Sequence, residues 1–288
     1  MASLKDLRRR IRATKSMQQI FKAMEMVAAA KLRRAQARAQ AASPYAAKIS
    51  AMLANLSEAA AELEHPLFKA REVKVTALVV ITADRGFAGA YNTTLLRAAE
   101  HKLRAAGGGA IQCVVVGRKG RDYLRRRGYP MLAAHTDLPG EASLELARKI
   151  TQDVTERFLA GEVDRVEILY THFVNAIVRR VTNETFLPVG ADVVKGKDGA
   201  AGGGAAIFEP NAETIFAELL PRYATAKLYA AMADALASEH SARMVAMGSA
   251  RKNAGELVDS LTLTRNRMRQ AAITREISEL VGGAEALK

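Results

Sequence analysis

The sequence predicts an α/β protein with long terminal helices, in which the N- and C-terminal helices form an antiparallel coiled coil and a central α/β domain lies between them. Sixteen of its 20 glycines lie between Gly86 and Gly204, and all 7 prolines lie between Pro44 and Pro221. Glycine and proline are disfavoured in helix interiors by about 1 and 3 kcal/mol relative to alanine. The two ends are therefore predicted to be helical and the middle to be rich in turns.

Apolar residues at both ends recur every three or four residues, the spacing of a narrow coiled-coil seam. On the N-terminal helix the predicted seam contains Leu4, Leu7, Ile11 and Thr14, then, after a phase shift, Met17, Ile20, Met24, Val27 and Lys31. On the C-terminal helix it contains Leu257, Leu261, Thr264, Met268 and Ala271, then Ile277, Leu280, Ala284 and Leu287. Such long helices are predicted to pair with each other and to leave an outer face for a partner. The alternative is two ordinary helices folded on a globular body.

The middle of the chain alternates short apolar runs with amphipathic segments, which is typical of a mostly parallel sheet covered by helices. Strands are predicted at 75–82, 111–117 and 163–173, with an antiparallel strand at 178–186. Helices are predicted from a cap at Asn92 or Thr93 to residue 106, at 118–127 and at 143–159. The predicted domains are an N-terminal helix (1–60), an α/β domain (70–194), a flexible linker (195–208) and a C-terminal helix (209–288).

Positive charge is concentrated at the N terminus. The formal net charge is +13, and residues 1–56 hold twelve Lys and Arg against two acidic residues. These charges are spread around the predicted helix, with little aromatic interleaving. This pattern favours a basic shaft inside an acidic protein sleeve. Nucleic acid and an anionic membrane are the alternative partners.

No catalytic, metal or cofactor site can be recognised from residue spacing. The loop Gly86–Gly89 has too few glycines for a dinucleotide-binding pattern and no Walker lysine after it, so a tight turn is predicted and nucleotide binding is the alternative. Asp84 and Arg85 in the same loop are candidates for a docking surface. The five histidines are scattered, and the single Cys113 cannot form an internal disulfide. Residue spacing thus offers no positive case for catalysis, and no cofactor is expected.

Four segments are similar to the γ-subunit family of F-type ATP synthases, and they occur in the same order. They are IFKAMEMVAAAK from Ile20, TADRGFAGAYN from Thr82, EHSARMVAM from Glu239 and LTLTRNRMRQAAITREISEL from Leu261. The sequence resembles this family nearly from end to end. The resemblance implies an antiparallel coiled coil of the terminal helices with a Rossmann-like α/β domain at its foot.

The resemblance also implies a function as a rotor. Such a shaft lies inside an alpha3-beta3 catalytic hexamer and rests, with the epsilon subunit, on a membrane c-ring that proton flow turns. The nucleotide sites belong to the hexamer, so the chain is expected to be non-catalytic and to bind no nucleic acid. Residues 1–15 carry no secretory signal, and no apolar run reaches the ~18 residues of a membrane span. The expected location is therefore the cytoplasmic face of a bacterial inner membrane, peripheral through the complex.

Three groups of partner-binding residues follow from the same resemblance. The residues implied to contact the β-subunit loop that catches the shaft are Arg269, Gln270 and Thr274. Met24 is implied to lie near the acidic lever of the β subunit. The residues implied to occupy an apolar bearing are Ile277, Leu280 and Leu287.

Two positions depart from the family pattern. Arg265 stands where the family usually has an aromatic residue, and Gly248 lowers the helix propensity of the shaft. Both are expected to alter local contact geometry.

Overall fold

The computed structural model describes residues 3–59, 66–67, 71–107, 109–189 and 212–285. Its helices are α1 (Leu4–Ala59), α2 (Tyr91–Ala105), α3 (Arg118–Arg126), α4 (Leu144–Leu159) and α5 (Ala212–Glu285). Its strands are β1 (Thr76–Ile81), β2 (Ile111–Val116), β3 (Met131–His135), β4 (Arg165–Phe173) and β5 (Arg179–Leu187). The predicted linker 195–208 and Leu287 lie outside the described residues.

The chain forms two compact units. We call the first, Met1–Ala28 with Arg243–Lys288, the coiled-coil unit, and the second, Ala29–Ala242, the sheet unit. The terminal helices are 56 and 74 residues long, which confirms the prediction of long helices at both ends. α5 begins at Ala212 and continues through Pro221, which lies inside the helix.

The sheet unit is built on a five-stranded sheet with the order β3-β2-β1-β4-β5. β1 pairs in parallel with both β2 and β4, whereas β5 is antiparallel to β4, as predicted. The edge strand β3 was not predicted. Its sequence, MLAAH, lacks the β-branched residues that identify the other strands, and it is only partly buried.

Both faces of the sheet are covered, which explains why its central strands are apolar throughout. Ala77, Val79 and Ile81 of β1 belong to a core cluster that includes α4 and the sheet-unit parts of α1 and α5. Leu78 and Val80 belong to a second cluster that includes α2 and α3. Successive side chains of β1 therefore pack into the core clusters on opposite faces of the sheet.

The start of α2 differs from the prediction. Its N-cap is Ala90, which makes no side-chain cap hydrogen bond, so the expected cap at Asn92 or Thr93 was wrong. The Asn92 side-chain oxygen accepts a hydrogen bond from the Ala83 backbone N–H at 3.0 Å. Asn92 lies inside the first turn of α2, and its side chain ties that turn to the residues after β1.

Candidate partner-binding surface

The two helices of the coiled-coil unit run antiparallel. A Cβ atom placed on Gly255 would lie 2.9 Å from Gln18 Nε2, and one placed on Gly248 would lie 3.2 Å from Glu25 Oε1. The residue number on α1 rises by seven as the number on α5 falls by seven. This is the heptad register of an antiparallel pair, and it confirms the predicted coiled coil within this unit.

The seam on α1 follows an unbroken spacing of three and four residues. Its buried members are Leu7, Ile11 and Ala28, which are 4%, 7% and 1% exposed. The half-buried residues at the intervening seam positions are Leu4, Thr14, Gln18, Phe21 and Glu25. Opposite them, α5 contributes the buried residues Met247, Ala254 and Val258.

The predicted seam was wrong after Thr14. Met17, Ile20 and Val27 are 51%, 56% and 55% exposed, and Leu257 on α5 is 50% exposed. The predicted C-terminal seam residues Thr264 and Ala271 are exposed as well. The phase shift predicted for the α1 seam does not occur. The seam continues in register through polar residues, which a search for apolar residues does not detect.

Two glycines of α5 explain how polar residues fit into the seam. Because Gly248 has no side chain, the carboxylate of Glu25 occupies the space beside it and accepts a hydrogen bond from Arg251 Nε at 2.9 Å. Gln18 fills the corresponding space beside Gly255. Gly248, a departure from the family pattern, is thus matched by a side chain on the partner helix.

The apolar residues displaced from the seam form a line on α1, at spacings of three, four and three. We call this line, Met17, Ile20, Met24 and Val27, the outer stripe. Met24 is half-buried and the other three are more than half exposed. Contiguous exposed apolar surface marks an interaction site in soluble proteins. The outer stripe is a candidate interaction surface that the seam prediction missed. The sequence signal for it was the polar pair Gln18 and Glu25, which occupy the seam.

The end of α5 has no α1 residue opposite it. In the register above, Leu4 at the start of α1 lies opposite Arg269. Of residues 269–282, which we call the C-terminal extension, all are exposed except the half-buried Ala272. Its large apolar residues Ile273, Ile277, Leu280 and Val281 are 48%, 55%, 74% and 59% exposed. The extension therefore presents apolar side chains that another chain could cover.

The structure brings most of the predicted contact residues together on this extension. Arg269, Gln270 and Thr274 are all exposed. Gln270 and Thr274 share a helix face, and Ile277 follows one turn later. Among the described residues, no carboxylate lies within ion-pair distance of Arg269. Met24 belongs to a different surface, since its opposing region of α5 is about 30 Å of helix away from Arg269.

Arg265 lies within the seam spacing of α5. It is half-buried, and its guanidinium donates hydrogen bonds to the side-chain oxygen of the neighbouring Asn266 at 3.0 and 3.3 Å. The polar group is thus satisfied within α5 itself. This accommodates a cation at a position where the family pattern has an aromatic residue.

The described part of the chain contains no group of His, Cys, Asp and Glu residues that could hold a metal ion. Burial raises the pKa of the Cys113 thiol to about 12. His172 pairs with the carboxylate of Asp234.

Asp84, a candidate docking residue, accepts backbone hydrogen bonds from Arg118 and Leu138 at 2.6 Å each, so its carboxylate organises the neighbouring loops.

None of the described helices combines the length and apolar composition that crossing a membrane requires.

Comparison with known proteins agrees with this architecture. A family model described as ATP synthase matches residues 3–287. A protein of Desulforamulus reducens named ATP synthase gamma chain is 48% identical over 288 residues, and the match covers 100% of both chains. A gamma chain of Moorella thermoacetica is 47% identical over 288 residues, again with 100% of both chains covered. The chain belongs to the ATP synthase gamma-chain family.

Solved structures extend the similarity to the fold. A chain of the central stalk and c-ring structure of Tetrahymena thermophila mitochondrial ATP synthase is 26% identical, with a TM-score of 0.63; the match covers 80% of this chain and 99% of that one. A chain of the Euglena gracilis mitochondrial F1 and c-ring structure is 20% identical, with a TM-score of 0.68 and coverages of 99% and 94%. The second match supports the fold alone.

Proposed function

We propose that this chain is the central rotor shaft of an F-type ATP synthase. It couples proton-driven rotation of a membrane c-ring to conformational change at the catalytic sites of an alpha3-beta3 hexamer, with the epsilon subunit as a further partner. The observation that carries the proposal is the end-to-end match to gamma chains at 48% identity. The shaft is non-catalytic and belongs to the complex at the cytoplasmic face of a bacterial inner membrane.

The physical basis of this role is a mismatch of symmetry. A single coiled coil inside a threefold ring cannot present the same face to three chemically identical subunits. Each subunit therefore meets a different part of the shaft and is biased toward a different conformation and nucleotide affinity. Because coupling free energies are reciprocal, nucleotide binding in the hexamer must also drive the shaft.

The coiled-coil unit supplies surfaces suited to that role. The outer stripe would face the hexamer, with Met24 near the acidic lever of the β subunit. The polar residues of the C-terminal extension, Arg269, Gln270 and Thr274, would contact the β-subunit loop that catches the shaft. Ile277, Leu280 and Leu287 would occupy the apolar bearing. The exposure of the described members of these groups supports this assignment.

The domain assignment follows the same proposal. Residues 1–60 and 209–288 are the shaft helices and 70–194 the Rossmann-like foot. Residues 195–208 are the linker that joins the foot to the C-terminal helix.

Co-expression with the other ATP synthase subunits tests the proposal directly. The chain should co-purify with six nucleotide-binding subunits, and the complex should hydrolyse ATP and pump protons. Leu261→Pro should retain hydrolysis but lose pumping, because proline breaks a helix at a cost of about 3 kcal/mol. Leu261→Met, a volume-conserving control, should keep both activities. Normal pumping by Leu261→Pro would contradict the shaft function.

A second experiment tests the outer stripe. Met24→Lys places a cation where the proposal puts an acidic lever, so the new ion pair should raise the activation energy of coupled turnover. Met24→Leu keeps the apolar character and should leave the activation energy unchanged. Equal activation energies for the two variants would contradict the placement of Met24 near an acidic lever.

A further inference from the structure

α3 carries a dense set of cations on the surface of the sheet unit. Six of the ten residues 118–127 are Lys or Arg, and one is acidic. We call these six the α3 basic face: Arg118, Lys119, Arg121, Arg125, Arg126 and Arg127. None of them is buried.

The way α3 meets the sheet directs these side chains outward. The Gly120 N–H donates to Thr82 Oγ1 at 2.9 Å, and a Cβ on Gly120 would lie 2.8 Å from that oxygen. The buried residues of α3 are Gly120 and Leu124. The backbone of α3 thus contacts the sheet along one narrow line. The cationic side chains lie on the rest of the helix surface.

The six cations of this face outnumber the three carboxylates beside them, one of which, Asp137, pairs with Arg118. Asp122 is shared between Arg121, at 2.9 Å, and Arg125, at 3.6 Å. Glu100 of α2 is shared between Arg127, at 3.4 Å, and another arginine of α2. In the described chain, neither Lys119 nor Arg126 has a carboxylate within ion-pair distance. Like charges one helical turn apart repel, so an external anion would stabilise the face.

The chemistry of the face distinguishes between possible ligands. Protein–protein hot spots are enriched in Trp, Tyr and Arg side chains that fill well-packed, desolvated pockets. No large apolar side chain of α3 is exposed, and the exposed residues Phe87 (69%) and Leu144 (49%) lie outside this helix. Arginine forms planar, paired hydrogen bonds with phosphate oxygens, and clusters of four to eight cations bind anionic lipid surfaces. The face therefore has the composition of a phosphate-binding surface and presents no exposed aromatic or apolar anchor of its own.

We propose that the α3 basic face binds the phosphate groups of anionic membrane lipids. The choice of lipid as the source of phosphate rests on the proposed function, which places the chain in a membrane-associated complex. The contact is electrostatic and reversible, because each cation adds a small, salt-sensitive term and no apolar residue inserts into the bilayer.

Vesicle binding by the full-length chain tests this proposal. Vesicles of phosphatidylcholine are compared with vesicles that also contain phosphatidylglycerol, and the partition coefficient is measured by sedimentation at several salt concentrations. The variant is R125Q/R126Q, since glutamine keeps helix propensity and removes two exposed charges. The matched control is R148Q/K149Q, which removes two exposed charges from α4, a helix in the other core cluster. Circular dichroism and thermal melting verify that both variants fold.

The parent chain should bind the phosphatidylglycerol vesicles and lose binding as salt increases. Each cation near an anionic surface is worth about a fivefold change in partition coefficient, so R125Q/R126Q should bind about 25-fold more weakly. The control should bind at least several-fold more tightly than R125Q/R126Q. Equal losses in both variants would overturn the proposal, because binding would then follow net charge alone.

A nucleic-acid arm tests the rival source of phosphate. Duplex DNA is added as a competitor of the vesicles. If the DNA displaces the chain at a lower concentration than lipid does, and R125Q/R126Q fails to bind it, the face belongs to nucleic acid and the lipid proposal is overturned. Because the assay uses the chain alone, its failure leaves co-purification with ATP synthase subunits unaffected.

Discussion

Replacing Gly248 by alanine tests whether this glycine makes room for Glu25. In an unconstrained helix the substitution would stabilise the protein by about 1 kcal/mol, because alanine has the higher helix propensity. Here the new Cβ would lie 3.2 Å from Glu25 Oε1, closer than nine in ten Cβ contacts, so the carboxylate must move by a few tenths of an ångström.

Moving the carboxylate weakens its 2.9 Å ion pair with Arg251. The two side chains are 28% and 45% exposed, and such pairs contribute about 0 to 1 kcal/mol. Gain and loss therefore nearly cancel, and Gly248→Ala alone should change the free energy of unfolding by less than about 0.5 kcal/mol. In a Glu25→Ala background, Gly248→Ala should raise the free energy of unfolding by about 1 kcal/mol.

Urea unfolding of the four chains of this double-mutant cycle, followed by far-ultraviolet circular dichroism, measures the coupling between the two positions. Gly255→Ala is the matched control. Its Cβ would contact only the flexible end of the Gln18 side chain. Gly255→Ala should therefore raise the free energy of unfolding by most of the difference in helix propensity between alanine and glycine, about 1 kcal/mol. A coupling free energy of zero between Gly248 and Glu25 would refute the reasoning.

Three further expectations concern the sheet unit. Asp84→Ala should lower the free energy of unfolding by about 1 to 3 kcal/mol, since two backbone N–H groups lose their acceptor, and an unchanged urea midpoint would contradict this. Burial raises the pKa of Cys113 to about 12, so iodoacetamide should alkylate the native chain far more slowly than the urea-unfolded chain; equal rates would exclude a buried thiol. Backbone N–H groups of Val75 and Lys74 lower the pKa of Asp164 from 3.8, so its stabilising contribution is present above that pH and lost as the pH falls below it. Thermal melts from neutral to acid pH should show a smaller loss for Asp164→Asn, and parallel curves would contradict this contribution.

Much of the architecture could be predicted from the sequence because local terms dominate it. The positions of glycine and proline separate the helical ends from the turn-rich middle, and runs such as VTALVVIT from Val75 identify strands buried on both faces. The strand β3 could not be predicted in this way. Its residues Met131–His135 form a strand because β2 offers a parallel edge for pairing, and that edge exists only in the assembled sheet.

The candidate surfaces divide in a similar way. The residues of the C-terminal extension, such as Arg269 and Gln270, were predicted from a sequence resemblance, and their contacts with a β subunit stay predictions. The outer stripe required the structure, because an apolar pattern alone does not distinguish a residue in the seam from one beside it. At Met17, Ile20 and Val27 the apolar residues are exposed, while polar residues occupy the seam.

By itself, the sequence determined that both ends are long helices, that the middle is a largely parallel sheet, and that the chain resembles gamma chains. These properties follow from propensity, periodicity and motif, all of which are written along the chain. Only the tertiary structure decided which helix face is the seam. A glycine on α5 creates space that a polar side chain on α1 fills, and this complementarity exists only between residues more than 200 positions apart.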